Sequence, residues 1–175
     1  MQERQIDDPK LKVVLEESQN RIRTMALIHE NLYRNDNLAN ILFSNYVKSL
    51  AGNLARTFSE QQGKVAFEYD MDDVYLPLDT GIPCGLIINE LISNSFKYAF
   101  IGKDKGKISI NLKQIDEQSF TLTVADNGVG LPEDLDYENS TSLGMKIVNK
   151  LVMQIEGNME YSSNNGAKFN IDFII

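Results

Sequence analysis

Apolar residues recur at three- and four-residue steps from early in the chain. Leu11, Val14, Leu15, Ile22, Met25, Ile28 and Leu32 make one stripe, the period of an α-helix. The spacing predicts a long helix over residues 8–34, with Asp8 as N-cap and Pro9 at an early helical position. Glu16, Glu17, Arg21 and Arg23 crowd its remaining surface. Such a helix cannot bury its stripe alone, so it is expected to pair with another helix or another chain. A polar break at Asn35, Asp36 and Asn37 follows. A second helix is predicted over residues 44–61, with Tyr46, Val47, Leu50, Leu54 and Phe58 on one face.

The period then falls to two. Val65, Phe67 and Tyr69 alternate with Ala66, Glu68 and Asp70, the pattern of a half-buried strand. A third helix is predicted over residues 80–100, opened by Thr80 and Pro83. Alternation returns in Ile108, Ile110, Leu112 and in Phe120, Leu122, Val124, and Asp116-Glu117-Gln118 between them predicts a hairpin. A Gly-containing loop leads to a helix over 143–156. Two last strands, 159–162 and 168–174, are joined by Asn164-Asn165-Gly166. This order predicts an α+β fold, a two-layer α/β sandwich with helices on one face of a mixed sheet, preceded by a long N-terminal helix. The expected division is a helical segment, 1–36, and a globular domain, 37–175.

Composition narrows the chemistry. A chain of 175 residues with 42% hydrophobic content supports a folded core, and its net charge of −8 argues against a nonspecific nucleic-acid partner. The single cysteine, Cys84, excludes an intrachain disulfide and a cysteine-based zinc site. No apolar run approaches the roughly 18 residues of a membrane span. A cytoplasmic setting without direct membrane contact is expected for this stretch, with membrane attachment of the whole protein left open.

Three segments carry candidate chemistry. Glu90, Asn94 and Lys97 lie at i, i+4 and i+7 on the third helix, presenting a carboxylate, an amide oxygen and an ammonium along one face. The amide oxygen suits Mg²⁺, which takes hard oxygen ligands together with phosphate and water. By itself this face also fits the ordinary solvated side of an amphipathic helix. Asp126-Asn127-Gly128-Val129-Gly130 ends a strand, where Asp126 is placed to accept from a ligand amine and the glycines allow close approach. It equally fits a plain turn. Ser140-Thr141-Ser142-Leu143-Gly144-Met145 enters a helix whose first N–H groups form an anion seat. Simple capping by Ser142 or Thr141 is the alternative.

Together and in this order, the segments resemble the N box and the two glycine boxes of the GHKL ATPase superfamily of gyrases, heat-shock chaperones, histidine kinases and mismatch-repair proteins. The resemblance runs from residue 40 to the C-terminus, with Asn165-Gly166-Ala167-Lys168-Phe169 in the place of the last glycine box. Asn89-Glu90-Leu91, Asn94 and Lys97-Tyr98, with a short lid between Gly130 and Leu143, look like a histidine kinase. Arg21 to Tyr33 resembles the second dimerisation helix of the HisKA_2 subfamily.

The resemblance implies ATP and Mg²⁺ as cofactors, with Asn94 ligating Mg²⁺ and Asp126 binding the adenine amine. Gly128 and Gly130 would shape the adenine floor and the root of the lid. Lys97, beside Tyr98, would reach the phosphates, which the backbone around Thr141, Ser142, Leu143 and Gly144 would hold. Gly166 would complete the nucleotide site. Glu90 takes the position of the water-activating carboxylate of hydrolysing relatives; in a kinase it would orient the attacking imidazole or a metal-bound water. Ala167 replaces a common Thr, removing a hydroxyl near adenine, and the second box lacks its usual first glycine.

His29 is the only histidine, at the edge of the apolar stripe between Met25 and Leu32. A packed or interface side chain fits it better than a phosphoacceptor. In the subfamily the acceptor sits on the preceding dimerisation helix, so the chain is expected to bind ATP without phosphorylating itself. A response regulator receiver domain and a homodimer through the N-terminal helix are the implied partners. A GHKL-type hydrolase using Glu90, a non-catalytic nucleotide-binding or dimerisation module, and a serine kinase of the anti-sigma type are the competing readings. The Arg21–Tyr33 helix counts against the last.

Overall fold

The computed structural model describes residues 11, 15, 18–26, 40–58, 64–131 and 142–175. The predicted helix start at Asp8 and Pro9, His29, the break at residues 35–37 and Thr141 lie outside them. Residues 18–26 form a helix, α1, and Leu11 and Leu15 are also helical. Leu11, Ile22 and Met25 of the predicted stripe are exposed, whereas Thr24 is buried and Arg21 half-buried. The polar edge of α1, including Arg21 that the pattern had assigned to the open surface, therefore turns toward the rest of the chain.

The elements that follow are β1 (Asn40–Leu42), α2 (Phe43–Thr57), β2 (Val65–Met71), β3 (Tyr75–Pro77), α3 (Leu78–Asn94), a π-helical segment (Ser95–Ala99), β4 (Gly106–Gln114), β5 (Ser119–Asp126), α4 (Leu143–Gln154), β6 (Asn158–Ser162) and β7 (Lys168–Ile174). Neither β1 nor β3, an antiparallel pair, was predicted, because runs this short carry no readable alternation. The third helix opens earlier than expected, at Leu78. Pro77, in an extended conformation, ends β3, and Asp79 in the first turn suits the helix dipole, while Pro83 falls inside the helix.

The main sheet has the order β2-β4-β5-β7-β6. β2 and β4 are parallel and the remaining neighbours antiparallel, so the sheet is mixed. Ile108, Ile110 and Leu112 of β4, Phe120, Leu122 and Val124 of β5, and Phe169, Ile171 and Phe173 of β7 are buried in one core with α2, α3 and α4. The intervening residues are polar: Thr123 donates to Asn170 at 2.9 Å and Thr121 to Asp172. One greasy face and one polar face make the predicted two-layer sandwich. Phe58, just past α2, stacks on Phe96 with ring centroids 4.8 Å apart and ties the second helix to the π segment.

The predicted turns are present. Asp116 accepts from the Gln118 and Ser119 N–H groups at 2.9 and 2.8 Å, closing the β4–β5 hairpin. Asn165 and Gly166 turn between β6 and β7 with φ of 55° and 125°. Cys84 is buried and its thiol is pushed up to about 12 by that burial, which makes it a packing residue without thiolate reactivity. Among the described residues no helix is long and apolar enough to cross a membrane.

Candidate functional site

Asp126, at the end of β5, is fixed from three directions. Its Oδ1 accepts from the N–H groups of Gly128 and Ala167 at 2.8 and 3.2 Å, and its Oδ2 accepts from the Ser95 hydroxyl at 2.8 Å. Its own N–H donates to the Ala167 carbonyl at 2.8 Å. The first glycine segment, the π segment and the last box thus meet on one carboxylate. Ala167 serves this carboxylate through its backbone, which the loss of a side-chain hydroxyl leaves intact.

The glycines are required by close approaches. A Cβ on Gly166 would collide with the Asp126 carbonyl, and one on Gly128 would overlap Ala99. Val129 N–H donates to the Ala99 carbonyl at 2.9 Å, which seats the loop on the π segment. Lys103 donates to the carbonyls of Asn127 and Gly128 at 2.7 and 2.8 Å and holds the loop from the other side. Gly130 takes φ +80°, a backbone state open to glycine.

Along α3 and the π segment, Glu90 is buried, Asn94 and Lys97 are half-buried and Tyr98 is exposed. Burial of Glu90 removes the reading of this face as an ordinary solvated surface. Lys97 and Tyr98 lie in the π segment, whose wider turn rotates them away from the straight continuation of Glu90 and Asn94 assumed from i, i+4, i+7 spacing. The start of α4 packs over the same face. Ser142 caps it, its Oγ accepting from Met145 N–H at 3.3 Å. The Asn94 amide donates to Met145 sulfur at 3.8 Å. A Cβ on Gly144 would lie 2.8 Å from Glu90 Oε2. Leu143, which opens α4, is exposed.

Glu90 has a partner that the sequence reading missed. Arg21 Nε and Nη2 donate to its Oε1 and Oε2 at 2.7 and 2.9 Å. Thr24 Oγ1 donates to Asn89 Oδ1 at 3.1 Å, and Asn89 Nδ2 donates to Glu90 Oε1 at 3.1 Å. Between α1 and α2 opens a separate cleft of about 560 Å³, walled by Asn20, Arg23, Leu50, Asn53 and Leu54, which shares none of the three motif segments.

Among the described residues, no group of three or more His, Cys, Asp and Glu side chains could hold a metal. A divalent ion here would rest on few protein ligands and on phosphate oxygens, which fits the habit of Mg²⁺ and the hard amide oxygen of Asn94.

Residues 80–174, over half of the chain, match the model of the histidine kinase-, DNA gyrase B- and HSP90-like ATPases. The chain belongs to this ATPase family. Residues 1–58 match a second model, HisKA_2, described as histidine kinase. The blue-light-activated histidine kinase 2 of Erythrobacter litoralis is 28% identical over 124 residues, 69% of this chain and 36% of the relative. The sensor histidine kinase PdtaS of Mycobacterium tuberculosis is 32% identical over 76 residues, 42% of this chain and 15% of the relative. The chain thus spans about a third or less of the length of these curated relatives. The solved histidine kinase domain of the Erythrobacter litoralis EL346 kinase has the same fold, with a TM-score of 0.80 at 23% identity over 90% of this chain and 74% of that one.

Within this histidine kinase type of ATPase domain, the structure brings Glu90, Asn94 and Gly144 together at one end and Asp126, Gly128 and Gly166 at the other. Ser95 and Arg21 are the site neighbours that pattern alone did not reveal, and Asn89, which the kinase-like segment already contains, joins them through Glu90. Ser95 adjoins Asn94 in the motif and could have been suspected; nothing in the sequence links position 21 to position 90.

Proposed function

We propose that this domain binds Mg²⁺-ATP between Asp126 and the start of α4, and that in the whole protein it passes the γ-phosphoryl group to a histidine. Residues 1–36 would belong to the dimerisation region and 37–175 to the catalytic domain. The carrying observation is the Asp126 carboxylate, immobilised by Ser95, Gly128 and Ala167 at the junction of three motif segments. A carboxylate held this way is preorganised to accept from a flat ligand's amine, the role proposed for it toward adenine.

In this reading the N–H groups of Ser142, Leu143 and Gly144 face the phosphates with the positive end of α4 behind them. Lys97 reaches the phosphate charge, Tyr98 borders the nucleotide, Gly130 roots the lid, and Thr141, outside the described residues, is assigned to the same nucleotide site. Asn94 supplies its oxygen to the metal. Bound Mg²⁺ offsets phosphate charge and helps orient the transferring group. Glu90 orients the incoming imidazole, which is neutral over much of the physiological range and needs no strong base. The protein's contribution is positioning and charge placement. A second copy joined through α1 and a response regulator receiver domain are the proposed partners, with the domain facing the cytoplasm.

Titration with a fluorescent ATP analogue in Mg²⁺ tests the reading. Binding by the wild-type chain and its loss in Asp126→Ala are expected; no binding by the wild type overturns it. Incubation with γ-labelled ATP is expected to leave no acid-labile label on His29. The hydrolase reading predicts steady phosphate release that Glu90→Ala abolishes while ATP binding persists.

A further inference from the structure

Arg21 stands on α1, outside the segment matched to the ATPase family, yet it closes a two-pronged pair on Glu90 inside that segment. Both side chains are largely withdrawn from solvent, 13% and 7% exposed. Thr24, one turn further on, reaches Asn89, which itself donates to Glu90, so α1 grips this end of α3 at two levels.

The same carboxylate oxygen that accepts from Arg21 Nη2 lies 2.8 Å from where a Cβ on Gly144 would stand. Arg21 and the start of α4 therefore converge on Glu90 Oε2. A helix start attracts anions. A triphosphate seated there brings its terminal phosphate beside a buried carboxylate, in a chain whose net charge is −8. Like charges brought together where water is scarce repel strongly. A planar guanidinium forked onto the carboxylate cancels that charge and fixes its direction.

Resting on the nucleotide reading above, we propose that Arg21 is a positioning residue for the terminal phosphate. By pairing with Glu90 it neutralises the charge that would oppose that phosphate, and it links the seating of α1 on α3 to occupancy of the phosphate end. Linkage is reciprocal, so ATP also favours the docked α1.

The test compares ATP and ADP, each with Mg²⁺, in competition against a fluorescent analogue on the whole chain. Arg21→Ala is expected to weaken ATP roughly tenfold and ADP less than about twofold, because only ATP carries the opposing phosphate. Arg21→Lys keeps most of the ATP affinity, and the Arg21→Ala/Glu90→Gln double variant regains it. Equal weakening of ATP and ADP marks a merely structural role and overturns the proposal. So does unchanged or tightened ATP binding in Arg21→Ala, or a double variant no better than the single one. A wild-type chain that binds neither nucleotide overturns the nucleotide reading itself, whereas one that binds both without an ATP-selective loss overturns only the role of Arg21.

Discussion

Ser95 donates to Asp126 across 2.8 Å and so ties the first residue of the π segment to the last residue of β5. A hydrogen bond to a charged acceptor contributes more than one between neutral groups, on the order of 1.5–3 kcal/mol. Ser95→Ala leaves Asp126 with its two backbone donors but frees one oxygen to turn. Affinity for an ATP analogue is expected to fall by roughly tenfold, and the melting temperature by several degrees. Fluorescence titration beside a thermal melt separates the two effects.

Gly166 tolerates no side chain. Its φ of +125° disfavours any L residue, and a Cβ would drive into the Asp126 carbonyl. Gly166→Ala is expected to destabilise the domain by about 3 kcal/mol or more. Chemical denaturation measures this, and loss of nucleotide binding should accompany it. A variant as stable as the wild type contradicts the close approach.

Tyr46 buries its hydroxyl with no hydrogen-bond partner among the described residues. Burial pushes the phenol well above its usual range, with Cys84 adding to the effect. Removing an unsatisfied buried hydroxyl recovers part of a desolvation cost of about 1–3 kcal/mol. Tyr46→Phe is therefore expected to match or exceed wild-type stability. A Cβ on Gly85 would overlap that hydroxyl, so Gly85→Ala is expected to destabilise, and less so in a Tyr46→Phe background. Urea midpoints of the four proteins give the coupling.

Two surface carboxylates, Asp116 exposed and Asp72 half-buried, set an acid response. The Gln118 N–H, then the Ser119 hydroxyl and N–H, hold Asp116 below the usual carboxylate range, and the Gln114 N–H and Lys113 do the same for Asp72. Because the folded-state values are lowered, the stability they contribute is present above the unfolded value of about 4 and disappears as pH falls through the folded values. Asp116→Asn and Asp72→Asn should lose their difference from wild type on acidification. Urea midpoints from neutral to strongly acid pH read this directly; a difference that widens in acid would contradict the sign.

Much of this was legible in the order of residues. The alternation in Ile108, Ile110 and Leu112 and in Phe120, Leu122 and Val124 named the central strands, since a sheet with one buried face writes a period of two into the chain. The turn at Asp116 and the cap at Ser142 were visible because their chemistry is local. What escaped depended on distance or on small changes in helical pitch. The β1–β3 pair is too short to show a period. The π segment is a subtle widening that leaves no compositional trace at Lys97 and Tyr98. Arg21 looked like one more charge on a crowded helix, because a contact across 69 positions has no local signature.

The parallel pairing of β2 with β4 gives α3 a part in folding. Parallel neighbours need a long crossover between them, and here that crossover contains β3, α3 and the π segment. Pairing β2 with β4 closes a loop of this whole stretch, a non-local and so slower event in a folding chain. Joining β2 to the sheet and building the helix that bears Glu90 and Asn94 therefore draw on the same stretch of chain: a loosened α3 leaves the β2 edge with a slack crossover.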